Sequence, residues 1–126
     1  MSSATPARRT RIAYLDDDPD YAALLRYSFQ RLGHQIDTFD LTEHVLEALA
    51  SRDYDAFITD YHMPLTSGIT AIARARRARP YLPCALISNH IADIDHLAAI
   101  EGIMIRCKPQ SQDEFAALAS DLLPAA

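Results

Sequence analysis

Five short strand-like runs recur along the chain, at residues 11–15, 35–39, 56–59, 84–87 and 103–107, and each leads into a segment with helical signals. Strands that alternate with helices pair in parallel, because each helix carries the chain back to the edge where the next strand starts. The most informative run is Ala56-Phe57-Ile58-Thr59, apolar and β-branched like a buried strand. It leaves Asp60 at its tip, and Pro64 and Gly68 then mark a loop that turns into the next helix. A chain of 126 residues with this pattern forms one α/β domain and has little room for a second core.

Local signals delimit the helices. Asp18 before Pro19 reads as an N-cap followed by a proline whose missing N–H costs nothing in a first turn. That helix runs to Leu32, with Ala22, Leu25, Phe29 and Leu32 on one face, and Gly33 ends it. Asp40 and Glu43 form a capping-box pattern ahead of a helix with Val45, Leu46 and Leu49 on its apolar side. A helix from about Ser67 buries Ile69 and Ile72 and ends in Arg74, Arg76, Arg77 and Arg79. These arginines read as a solvated face complementing the helix dipole, with a phosphate-binding patch as the alternative. A weaker helix is expected near residues 92–101, carrying Ile94, Leu97 and Ala98, with Gly102 after it. Ser111 and Glu114 form a second capping box before a last helix with Phe115, Leu118, Ala119 and Leu122 inside. Residues 1–10 read as a flexible tail and residues 11–126 as the domain.

The formal net charge is −5, which argues against direct nucleic-acid binding. Cys84 and Cys107 lack metal-ligand or CxxC spacing and read as reduced core residues. No apolar run approaches the ~20 residues of a membrane span. Arg8 and Arg9 are not followed by the apolar stretch of a signal peptide, so the expected location is cytoplasmic.

The alternation is a (βα)5 doubly wound parallel sheet of flavodoxin-like type, with expected strand order 2-1-3-4-5. In such a sheet all strand ends point the same way and ligands collect there. Strand one ends in Asp16 and Asp17, strand three in Asp60, strand four in Ser88 and strand five in Lys108. Carboxylates brought together repel, and an oxygen-only ligand set suits Mg²⁺ rather than zinc. Lys108, the only lysine beside eleven arginines, adds a compact positive charge, and Ser88 adds a hydroxyl. A carboxylate nucleophile with a divalent cation, an ammonium and a hydroxyl describes phosphoryl transfer to an aspartate, with Asp60 as the acceptor.

The sequence resembles the response-regulator receiver domains (CheY-like) of two-component signalling. The resemblance is carried by Leu15-Asp16-Asp17-Asp18-Pro19, by Asp60-x-x-Met63-Pro64-x-x-x-Gly68, by Ser88 and by Lys108-Pro109, in that order and spacing. It covers residues from about 11 to 123. It implies that Asp60 is the phosphoacceptor, taking its phosphoryl group from a histidine kinase or a histidine phosphotransfer protein. Asp16, Asp17, Asp60 and the backbone carbonyl of His62 would bind Mg²⁺, and Ser88 and Lys108 would contact the phosphoryl group. It also implies a cis Lys108–Pro109 bond and a tuning of phosphoryl lifetime by the positions of His62 and His90. Such a chain accepts and loses its own phosphoryl group, switches partner interactions and is not a turnover enzyme; a monomer or weak dimer is expected. Three features depart from the family pattern. Asn89 follows Ser88 where a small residue is usual, the stretch from Ser88 to Lys108 is shorter, and Ile105 stands at the position of a switching aromatic ring. With Ile105 read as a plain core residue, an aromatic rotamer swap is not expected.

Two other readings remain open on the residues alone. Asp16-x-Asp18 on strand one also suits an Asp-dependent phosphatase of haloacid-dehalogenase type, whose nucleophile sits on that strand. A degenerate receiver that binds a partner without phosphorylation is the other.

Overall fold

The computed structural model describes residues 10–63, 67–90 and 103–123. The elements run β1 (Arg11–Leu15), α1 (Pro19–Arg31), β2 (Gln35–Phe39), α2 (Thr42–Ser51), β3 (Ala56–Asp60), α3 (Gly68–Ala78), β4 (Cys84–Ser88), β5 (Ile103–Cys107) and α4 (Gln112–Leu122). The five strands form one parallel sheet in the order β2-β1-β3-β4-β5, as the sequence pattern implies. The helix expected near residues 92–101 and the turn at Pro64 lie outside the described residues.

Side chains alternate across the sheet with period two, and that alternation builds a core on each face. Ile12, Tyr14, Ile58 and Ile87 face α1 and α4, meeting Leu25, Phe29, Phe115 and Leu118. Ala13, Leu15, Phe57 and Leu86 face α2 and α3, meeting Val45, Leu49, Ala71 and Ile72. Strands β1, β3 and β4 are covered on both sides, which is why they read as unbroken apolar runs. β5 is an edge strand and only half buried. Cys107 at its end is therefore exposed rather than in the core, while Cys84 on β4 is buried; both are free thiols. Ile105 is likewise only partly buried against the α2–α3 side.

Two of the three expected caps form, at Asp18 and Ser111, and Ser67 caps α3 as well. The Asp18 carboxylate accepts the N–H groups of Asp20 and Tyr21, Ser67 accepts that of Thr70, and Ser111 that of Glu114. The expected Asp40–Glu43 box does not form: Leu41 is the N-cap residue of α2 and makes no side-chain cap hydrogen bond. Glu43 instead takes a two-pronged contact from Arg74 of α3, at 2.7 and 3.2 Å. Leu32, expected inside, is 37% exposed where α1 ends, because Gly33 with φ of 95° turns the chain away.

The arginines in the last turns of α3 and at its C-cap are more than a solvated face. Arg79 donates to the carbonyls of Leu49 (2.6 Å) and Arg52 at the end of α2. Arg76 donates to that of Leu82. They satisfy carbonyls that the end of a helix and a tight loop leave open.

Candidate functional site

Three strand ends converge on one acidic pocket. β1 delivers Asp16, buried, and Asp17, exposed; β3 between β1 and β4 delivers Asp60, buried. Their ligand oxygens all lie within 4.8 Å of one another. Lys108, just past β5, is also buried and reaches across to them. Its Nζ lies 3.1 Å from Asp16 Oδ2 and 3.6 Å from Asp60 Oδ2.

Backbone geometry holds Asp60 in place. Its neighbour Tyr61 donates its N–H to Ile87 of β4, and Gly68 donates to Tyr61, folding the start of α3 onto the strand end. The Thr59 hydroxyl donates to the Asp60 carbonyl at 2.9 Å. Burial pushes the Asp60 carboxyl above the ordinary carboxylate range. Lys108 opposes that shift, Asp16 adds to it, and a backbone hydrogen bond from His62 opposes it.

Of the three clustered acids, Asp16 has the fullest set of hydrogen bonds. Its Oδ1 accepts the Asp18 N–H at 2.9 Å. Its Oδ2 accepts both the Lys108 ammonium and the hydroxyl of Tyr14. Tyr14 is fully buried in the middle of β1, and burial followed by the Asp16 charge raises its phenol far above the usual range, so it stays a donor. Tyr21 of α1 presents its ring to Lys108 Nζ at 4.6 Å and donates its hydroxyl to the Pro109 carbonyl at 2.8 Å. Neither tyrosine stood out as a site residue in the sequence. The available signal was spacing, since Tyr14 on β1 is two residues before Asp16, just past the strand end, and so shares its face.

Ser88 ends β4 fully buried, one register step beyond the Asp60–Ile87 pair. Its carbonyl accepts the Lys108 N–H at 2.9 Å, and its hydroxyl accepts that of His90 at 3.0 Å. His62 and His90 are exposed, with ring centroids 6.5 Å apart and nearly perpendicular. The Lys108–Pro109 bond is trans, against the expectation from the resemblance. An X–Pro bond separates its two isomers by only about 0.5–1 kcal/mol, so local packing decides between them.

Three carboxylates and no imidazole or thiolate make a hard, all-oxygen set with negative charge beyond what one ammonium balances. That set fits Mg²⁺.

The family model for the response regulator receiver domain matches residues 12–119. The chain belongs to that family. Among curated relatives, the receiver is similar to the transcriptional regulatory protein TcrA of Mycobacterium tuberculosis. The two are 33% identical over 92 residues, 73% of this chain and 36% of TcrA. The receiver thus spans little more than a third of that relative, and 17% of another, the DNA-binding transcriptional regulator NtrC of Escherichia coli. Among solved structures it resembles the signal receiver domain of an HD domain-containing protein from Pseudomonas fluorescens. There the TM-score is 0.81 at 25% identity, covering 98% of this chain and 93% of that one. It also resembles the response regulator TrrA of Thermotoga maritima in complex with Mg²⁺ and BeF. That match has a TM-score of 0.74 at 27% identity and covers 90% of this chain and 99% of that one. Among the described residues, no helix is long and apolar enough to cross a membrane.

Proposed function

We propose that this receiver takes a phosphoryl group onto Asp60 from a histidine kinase or a histidine phosphotransfer protein. The observation that carries this reading is the buried Asp60 carboxylate at the end of β3, with Lys108 at 3.6 Å and two further acids within 4.8 Å. A carboxylate oxygen of Asp60 forms a bond to phosphorus while the bond from phosphorus to the donor's imidazole nitrogen breaks. The electron pair leaves with that nitrogen, and the phosphoryl charge is left on an acyl phosphate at Asp60. Lys108 neutralises charge on the transferring group, and the Ser88 hydroxyl donates to one of its oxygens. Asp16, Asp17, Asp60 and the His62 carbonyl would hold Mg²⁺, which when bound would supply further charge neutralisation. The reaction is stoichiometric, and the acyl phosphate ends by hydrolysis at the same site. The acquired charge then changes which protein partner the domain engages.

The phosphatase reading places the nucleophile on β1. Asp16 there already accepts three donors, from Tyr14, Asp18 and Lys108, whereas Asp60 has a lighter set of partners and a carboxyl raised by burial. Those features favour Asp60. Intact mass after incubation with acetyl phosphate or phosphoramidate and Mg²⁺ tests the proposal. One added phosphate is expected, absent without Mg²⁺ and absent in Asp60→Asn. A phosphate that persists in Asp60→Asn overturns the assignment.

A further inference from the structure

We infer that Tyr14 is a positioning residue for the acidic pocket: its buried hydroxyl holds Asp16 in place for the cation and keeps Asp16 Oδ2 satisfied when Lys108 turns to Asp60. The inference rests on the phosphoacceptor reading above and adds to it a group from the interior of the sheet.

The geometry gives one ammonium two buried acceptors. Lys108 Nζ sits nearer Asp16 Oδ2, at 3.1 Å, than Asp60 Oδ2, at 3.6 Å. Any movement of Lys108 toward a group on Asp60 takes a donor from Asp16 Oδ2, an oxygen on a side chain with no solvent exposure. A buried carboxylate oxygen stripped of its donors is strongly disfavoured, because no water replaces them. Tyr14 prevents this. Its hydroxyl donates to the same Oδ2 and belongs to a fully buried ring in the cluster of Ile12, Ile58 and Ile87, where close packing restrains it. Asp18 N–H holds Oδ1 from the other side. The Asp16 carboxylate is thus fixed at both oxygens by groups that do not leave when Lys108 does. Hydrogen-bonded partners of this kind orient carboxylate ligands and raise metal affinity.

The single lysine makes the test direct. Protein labelled at lysine with ¹⁵Nζ and ¹³Cε gives one side-chain signal, from Lys108. Mg²⁺ is titrated into wild type and Tyr14→Phe, following backbone amides for affinity and the lysine signal for Lys108, and beryllofluoride is then added. Tyr14→Phe removes one oxygen and keeps the ring. It is expected to weaken Mg²⁺ binding about tenfold or more. It is also expected to hold the Lys108 signal near its cation-free position when beryllofluoride is added, whereas in wild type that signal moves. A folded Tyr14→Phe protein with Mg²⁺ affinity within about twofold of wild type and the same lysine response overturns the inference.

If Tyr14→Phe does not fold, wild type labelled with [¹³Cζ]tyrosine replaces it. The Tyr14 hydroxyl is then expected to stay protected from exchange in saturating Mg²⁺, and rapid exchange there overturns the inference. The mass measurement with Asp60→Asn separates the two claims. Its failure removes the phosphoacceptor reading, while wild-type phosphorylation with an indifferent Tyr14→Phe removes only this one.

Discussion

A Cβ placed on Gly68 would lie 2.4 Å from the carbonyl oxygen of Asp60, a separation that real Cβ atoms essentially never show. The first residue of α3 therefore has to be glycine for the helix to begin against the strand that carries Asp60. The same Cβ would meet Leu86 Cδ1 at 2.6 Å, so the buried Leu86 side chain would have to shift as well. Gly68→Ala is expected to destabilise the fold by about 1–3 kcal/mol, the usual range for overpacking. It is also expected to slow acquisition of phosphate by shifting the end of β3. Urea unfolding and the rate of mass increase with phosphoramidate check the two effects, and an unchanged unfolding midpoint would contradict the packing argument.

Lys108 balances two buried acids. Removing it in Lys108→Ala leaves Asp16 and Asp60 facing each other with no ammonium between them. Breaking a buried pair in this way costs about 3–5 kcal/mol, because the remaining charge stays desolvated. A divalent cation supplies the missing charge, so saturating Mg²⁺ is expected to restore more stability to Lys108→Ala than it adds to wild type. Denaturation with Mg²⁺ and with EDTA measures this difference. A larger Mg²⁺ effect in wild type would argue against the pairing.

Asp60 behaves oppositely as a single group. Burial raises its carboxyl above the unfolded value, so the folded protein binds that proton more tightly than the unfolded chain. Ionised Asp60 is then a liability at neutral pH, relieved as pH falls through the raised value. Without cation, Asp60→Asn is expected to be more stable than wild type at pH 7, with the gap closing on acidification. With cation the order reverses. A single site at a hundred times its dissociation constant adds about 2.7 kcal/mol, most of which the asparagine variant forgoes. Thermal melts with and without Mg²⁺ decide both signs.

His34 supplies a pH response remote from the pocket. Its ring lies 6.0 Å from that of Phe29, and its Nδ1 is buried without a hydrogen-bond partner. Burial lowers its pKa below the ordinary 6.5. Between the lowered folded value and 6.5 the unfolded chain takes up a proton that the folded protein refuses. Stability is therefore complete above 6.5, falls as pH drops through that window, and levels off below the folded pKa. His34→Gln removes this contribution. The stability difference between wild type and variant, followed from about pH 7.5 to about pH 5, is expected to shift against wild type. A flat difference would mean that His34 titrates alike in both states.

The chain determined by itself whatever depends on neighbours a few residues away. The strand bounds at Arg11–Leu15, Gln35–Phe39 and Ile103–Cys107, the Asp18 and Ser111 caps and the parallel order all follow from short-range periodicity and cap chemistry. Parallel strands bring their ends to one edge, so the gathering of Asp16, Asp17, Asp60 and Lys108 was legible as well.

The tertiary structure decided which donors go to which acceptors, because those choices compare partners far apart in the chain. Lys108 lies nearer Asp16 than Asp60, Tyr21 clamps the Pro109 carbonyl, and Arg74 takes Glu43 away from its expected capping role. Strand composition does not reveal an edge, so the exposure of Cys107 and the partial burial of Ile105 appear only once β5 is paired on one side. Tyr14 reads in sequence as one more apolar strand residue. Only the packed sheet sets its hydroxyl against Asp16, since the reach of a side chain depends on the three-dimensional neighbours that leave it one direction to point.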